Sequence, residues 1–241
     1  MELIQRYVSK ELTHFVGRHQ PEKERFDLLI EIIKSGWLLH KNIRGDIKIN
    51  TDAHGLEDIV TPGITCFADI PINDLSLHME KYSNFGLAFK KDFLVERGAN
   101  PVHYIATNGY IQISKEMPSN QAPVREDYFK DNIKRYFTWK SHMKKLIERN
   151  AQNENNTLED MERLEQLDSF LIKHIFAYLK PFDASKTDAD EDNYYLEREW
   201  RIVGDVAFSL NDITRILVPE KYGRKLREAL PEYTGQISFT E

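Results

Sequence analysis

The sequence predicts an α+β protein, and three observations carry that prediction. The segments toward both ends are short, rich in β-branched and aromatic residues, and bounded by Gly, Pro, Asn or Asp. Between about 118 and 182 the apolar residues recur instead at helical spacing. No internal repeat or low-complexity tract interrupts either pattern. The chain therefore reads as a single domain over 1–241, strands at its ends, with a two-helix insertion at about 118–190.

Taken in order, residues 3–17 read as extended and end at Gly17. Pro21 opens a helix at a position where its missing N–H costs nothing. Phe26, Leu29, Ile30, Ile33 and Trp37 form its apolar stripe, and Gly36 is its stop. Residues 41–63 are polar and glycine-bearing, hence irregular, with a short strand at Ile47–Ile49. Ile64–Ala68 is an apolar strand ending at Asp69, after which Asn73 or Asp74 caps a helix through Leu75, Leu77, Met79 and Tyr82. Phe85–Phe89 and Pro101–Ile105 are further strands, separated by a helical turn and a Gly-Ala-Asn turn.

Arg125–Arg149 is a long helix, and Thr157-x-x-Asp160 starts a second one, running to Pro181, much as a capping box would. The polar stretch Asn150–Asn156 turns the two into an antiparallel pair. The first carries Lys130, Lys134, Arg135, Lys140, Lys144, Lys145 and Arg149 among aromatic residues, a mixture that suits a nucleic-acid acceptor. The second carries Glu159, Asp160, Glu162, Glu165 and Asp168, so mutual charge pairing is the better reading. Asp183–Asn193 reads as an acidic, mobile linker. Strands return at 199–206 and 213–218, a short helix follows at 220–230, and Gly235–Phe239 is an edge strand.

Bulk properties narrow the function. Over 241 residues, 41% hydrophobic and 30% charged content is ordinary for a soluble globular chain. A net charge of −6 argues against a general nucleic-acid binder. Cys66 is the single cysteine, which excludes an intrachain disulfide and a thiolate zinc site. No metal-ligand spacing and no glycine-rich phosphate loop occurs. The apolar runs are too short to span a membrane and the start lacks a signal-peptide layout, so a cytoplasmic protein is expected.

The stretch Leu196–Val203 stands out. Strand alternation puts Glu197, Glu199 and Arg201 on one face and Arg198, Trp200 and Ile202 on the other. Two carboxylates and a guanidinium suit a pocket wall; the bland alternative is an exposed ion pair.

Leu12-Thr13-His14-Phe15, a helix, then Gly36-Trp37-Leu38 resembles the opening of the ADP-ribosyltransferase fold in its poly(ADP-ribose) polymerase and DarT-type branches. Gly63-Ile64-Thr65-Cys66-Phe67-Ala68-Asp69, with Ser76, His78 and Tyr82 on the next helix, resembles the second landmark of that fold. Glu199-Trp200-Arg201-Ile202-Val203 is similar to the strand that opens with the catalytic Glu. More closely, Cys66–Pro71, His78-x-x-x-Tyr82-x-x-Phe85-Gly86-x-x-Phe89 and Glu197–Arg201 look like the AbiGi abortive-infection family, usually described as the antitoxin half of an anti-phage pair.

The resemblance implies a split, mostly antiparallel ADP-ribosyltransferase-like sheet and NAD as substrate. Glu199 would be the catalytic carboxylate and Glu197 would prepare the acceptor. His14 would face Glu199 across the cleft and bind the ribose. Cys66, Phe67, Ser76, His78, Tyr82 and Arg201 would line the NAD site, with Tyr82 stacking on nicotinamide. The family's own description implies the alternative of a non-catalytic antitoxin that binds a toxin partner or senses a nucleotide.

Overall fold

The computed structural model describes residues 9–39, 47–112, 118–150, 156–190 and 192–240. In chain order its strands begin with β1 (Glu11–Phe15), β2 (Trp37–Leu38), β3 (Lys48–Ile49), β4 (Val60–Thr61), β5 (Ile64–Ala68) and β6 (Gly86–Lys90). They continue with β7 (Asn100–Pro101), β8 (His103–Ala106), β9 (Leu179–Phe182), β10 (Glu199–Val203), β11 (Val206–Ala207), β12 (Ile213–Pro219) and β13 (Gln236–Thr240). The helices are α1 (Glu22–Ser35), α2 (Ser76–Lys81), α3 (Lys91–Val95), α4 (Arg125–Asn150), α5 (Asn156–His174) and α6 (Gly223–Ala229). The described residues fall into two compact units. One is drawn from Met1–Gly45, Gly63–Val102 and Ala189–Glu241, the other from Asp46–Pro62 and His103–Asp188.

The first unit is built on a seven-stranded sheet of order β13-β12-β6-β1-β5-β10-β7. All neighbours are antiparallel except β12 and β13, which run parallel. β1 is in register with β6 along its whole length but with β5 only at Thr13↔Ala68. At the point where β1 and β5 part, the His14 side chain takes over, its Nδ1 lying 2.9 Å from the Cys66 carbonyl.

Alternation sorts the side chains cleanly. Leu12, Phe67, Leu87, Phe89, Ile202, Ile216 and Val218 form the main core with Phe26, Leu29 and Ile33 of α1. On the opposite face Ala68 and Leu217 pack with Leu75, Phe15 and Met79, so α2 covers that side. α1 ends because Gly36 adopts φ 70°, directing its N–H to the Ile32 and Ile33 carbonyls. Gly17, at φ 77°, ends the turn after β1, and Arg25 Cγ lies only 2.7 Å from where its Cβ would stand.

The second unit holds α4, α5 and two small sheets, β3–β4 and the parallel pair β8–β9. Its core is Ile59, Ile105, Ile133, Phe137 and Ile172. Between the helices, Tyr136 donates to Asp168 at 3.1 Å, Lys140 pairs with the same carboxylate, and Lys144 lies 3.3 Å from Glu165. Burial, helped by Asp168, pushes the Tyr136 phenol up to about 12. Lys130 and Lys134 are engaged by Asp127 and the Ala53 carbonyl. The basic face of α4 is thus partly consumed by pairing.

Several elements differ from the sequence pattern. Trp37 lies in β2, 46% exposed, because Gly36 turns the chain before it. Pro101–Ile105 is two strands in different sheets: through Val102, whose N–H donates to the Glu199 carbonyl, the chain follows β10, and from His103 it pairs with β9. α5 stops at His174, and Leu179–Phe182 becomes a strand beside β8 despite its helical spacing. Neither Asn73 nor Asp74 caps α2; both sit in a preceding 3-10 turn, and Leu75 stands at the cap without a side-chain bond. The strand at 199–206 breaks at Gly204, whose φ is 102°. The expected extended stretch 3–8, and the polar turn at 151–155, lie outside the described residues. Among the described residues, no helix is long and apolar enough to cross a membrane.

Leu29 is fully enclosed by the main core. Leu29→Ala should cost about 2–5 kcal/mol through the lost transfer energy and the cavity left behind. A urea titration should show this as a lowered midpoint with an unchanged slope.

Candidate functional site

The candidate site lies on the α2 side of the sheet, where β10 begins. A 3-10 turn at Tyr194–Glu197 leads into Arg198, the one non-glycine residue with positive φ among those described (φ 44°, ψ 47°). That left-handed step costs energy in an L-residue with a long side chain. Its carbonyl is held by the Asp69 N–H at 3.1 Å, and Glu199 starts the strand immediately after. Asp69 is itself tied down, accepting from the Ser9 N–H and from Lys91, each at 2.9 Å.

Two carboxylates are buried here. Glu199 is 7% exposed and pairs with Arg201 two residues along the same strand face, Nε to Oε1 2.6 Å and Nη2 to Oε2 3.4 Å. Glu197 is 6% exposed; one of its oxygens accepts from Lys81 Nζ at 2.9 Å and from the Tyr82 hydroxyl. Burial first, then the Glu197 hydrogen bond, drives the Tyr82 phenol far above its usual range, so it stays a donor. Burial likewise lowers His78 below its ordinary 6.5, with Lys81 adding to the shift and Glu197 opposing it.

Aromatic rings surround these charges. Tyr82 stacks on Phe15 at 6.2 Å and lies 5.5 Å from His78. Lys81 sits 4.3 Å above the Tyr194 ring, and the Arg18 guanidinium 4.6 Å above Tyr82. Fixed carboxylates beside a ring platform can stabilise positive charge developing on a ligand and can accept a proton from it.

The structure brings Glu197, Glu199, Arg201, His78 and Tyr82 together. It does not bring His14 to face Glu199. Register pairs Thr13 with Ala68 and Ala68 with Glu199, which puts those three on one face and His14 on the other. His14 is instead 5.7 Å from Phe67, which is 2% exposed in the main core. Cys66 shares the Glu199 face, opposite Arg201. Ser76 is exposed on the first turn of α2. Glu197 reaches the site through the 3-10 turn and not through strand alternation.

Sequence reasoning gave no role to Lys81, Arg18, Phe15 or Tyr194. Lys81 and Tyr194 carried a signal, as a cation beside Tyr82 and an aromatic ahead of two glutamates. Arg18 required the turn at Gly17 to be known. Among the described residues, no group of three His, Cys, Asp or Glu is placed to hold a metal ion.

Comparison with known proteins defines the class as abortive phage resistance proteins. The family model "Putative abortive phage resistance protein AbiGi, antitoxin" matches residues 38–229, and the chain belongs to this family. It is similar to the abortive phage resistance protein AbiGi of Lactococcus lactis subsp. cremoris, 28% identical over 164 residues. That match covers 66% of this chain and 57% of the relative, so the chain spans little more than half of the relative's length. No solved structure matches.

The buried His78 makes a pH prediction. Its folded-state pKa lies below the unfolded value, so its contribution to stability is complete above pH 6.5 and is lost as pH falls through the folded pKa. The urea midpoint should drop between pH 7.5 and 5.5 in the wild type and drop less in His78→Asn. Equal slopes would show that His78 takes up its proton unhindered.

Proposed function

We propose that this protein is an ADP-ribosyltransferase-like member of an anti-phage defence pair, which binds NAD beside Glu199 and breaks the nicotinamide–ribose bond. One observation carries the reading: a buried carboxylate opens strand β10, held by Arg201, next to a second buried carboxylate and a stacked tyrosine. The parting of β1 from β5 after a single register pair supports a split sheet.

In this reading nicotinamide enters beside Tyr82 with its ribose toward Glu199. The C1′–N bond breaks, nicotinamide leaves with the bonding pair, and ribose is left as an oxocarbenium ion. The Glu199 carboxylate stabilises that cation. An acceptor oxygen or nitrogen, from water or a macromolecule, bonds to C1′ and gives its proton to Glu197. His14 is left with a positioning part, bridging the parted strands through the Cys66 carbonyl.

The test is calorimetric titration with NAD, nicotinamide release being followed in the same samples. Glu199→Gln should keep binding and lose about 100-fold or more in release, as expected when an electrostatic stabiliser is removed. Undiminished release from that variant, or no binding at millimolar NAD, overturns the reading.

A second reading is favoured by the description of the family as an antitoxin. The protein would then hold a toxin partner without turnover. Co-purification with the product of a neighbouring gene, unaffected by Glu199→Gln and accompanied by no nicotinamide release, would support it.

A further inference from the structure

We infer that Arg18 is the phosphate-binding residue of this site, so that the ligand is a nucleotide bearing at least one phosphate beside its ring system. The inference deepens the NAD reading and rests on it for the identity of the ligand, though not for the presence of an anion subsite.

Among the described residues, Glu197 is matched by Lys81 at 2.9 Å and Glu199 by Arg201 at 2.6 Å. His78, desolvated by its surroundings, adds no positive charge at neutral pH. Arg18 and Arg198 are then the cations at the site without an ion pair among the described residues, and of the two Arg18 is the one that lies against Tyr82. It is exposed, and makes no ion pair among the described residues. Asp69, directly after β5, is occupied by Lys91.

Geometry then fixes where that charge sits. Gly17, in the left-handed conformation, turns the chain at the end of β1. Arg25 braces the loop, donating from Nε to the Gln20 carbonyl at 2.7 Å and from Nη2 to the Arg18 carbonyl at 3.4 Å. The Arg18 guanidinium is left lying over the Tyr82 ring, 4.6 Å from its centroid. A guanidinium is a planar fork of N–H donors that matches phosphate oxygens, and Arg18, being exposed, keeps part of that fork open to a ligand. A ring-bearing ligand entering beside Tyr82 therefore meets Arg18 at the rim and the carboxylates within. The anionic end of the ligand belongs at Arg18, since Lys81 and Arg201 are already paired with Glu197 and Glu199.

ADP and adenosine serve as probes, because they share the base and ribose and differ in phosphate. The wild type should bind ADP about tenfold or more tightly than adenosine, in line with charge-assisted guanidinium–phosphate bonding, and that preference should collapse in Arg18→Met. Arg18→Lys, which keeps the charge but not the fork, should fall between them. Arg18 is exposed, so the variants should melt like the wild type. Equal affinity for the two probes, or an ADP preference that survives Arg18→Met, overturns the inference. ADP binding lost in Arg18→Met without nicotinamide release from NAD in the wild type would uphold the phosphate subsite while defeating the transferase reading.

Discussion

Burying two carboxylates within three residues of each other is the constraint on which the site depends. A lone ionised carboxylate cannot be withdrawn from water at tolerable cost, so each must bring its own cation and hydrogen bonds. Glu199 recruits Arg201 from its own strand. Glu197 must recruit from elsewhere, and α2 supplies Lys81 and Tyr82. This links three distant parts of the first unit: the α2 segment, the 3-10 turn before β10, and the sheet that carries Phe15 beneath Tyr82. The left-handed Arg198 is the backbone cost of presenting both carboxylates on one side, and the Asp69 N–H holds it in place.

Local patterns in the sequence predicted what local physics determines. The α1 stripe up to Ile33, its glycine stop, the apolar run Ile64–Ala68 and the length of α4 all follow from period and caps, and occur as read. Where tertiary contacts override spacing, the reading failed. Leu179 continues the helical period of α5, yet pairing with β8 across more than seventy residues draws 179–182 into a strand. Val102 looks continuous with both neighbours, but its N–H still bonds to Glu199 of β10 while His103 pairs with Leu179 of β9, and the strand divides there.

The site shows the same division. Glu199 and Arg201 were legible because i and i+2 on a strand share a face. The side on which His14 falls was not, since it depends on the register of β1 against β5, and a one-residue change of register reverses it. Lys81 and Arg18 enter through a helix and a turn whose positions no strand periodicity reports. On α4, opposite charge on α5 did foretell pairing: Lys140 and Lys144 meet Asp168 and Glu165. Asp168 is buried and also accepts from Tyr136, so this pair specifies how the helices meet more than it adds stability.

The same neutralisation that lets Glu197 and Glu199 be buried limits what they can do. A carboxylate paired with a guanidinium projects a weaker field on a developing cation than a free one, because the two charges largely cancel at a distance. Turnover thus requires the ligand to compete with Arg201 for Glu199, through ribose hydroxyls that replace the guanidinium N–H groups. A purely binding protein has no such requirement and gains from leaving the pair intact. On the proposed NAD reading, an exchange of partners at Glu199 is therefore one step that separates turnover from binding alone. The left-handed Arg198 immediately before it, and the short side-chain reach from Arg201, fix the carboxylate for either outcome.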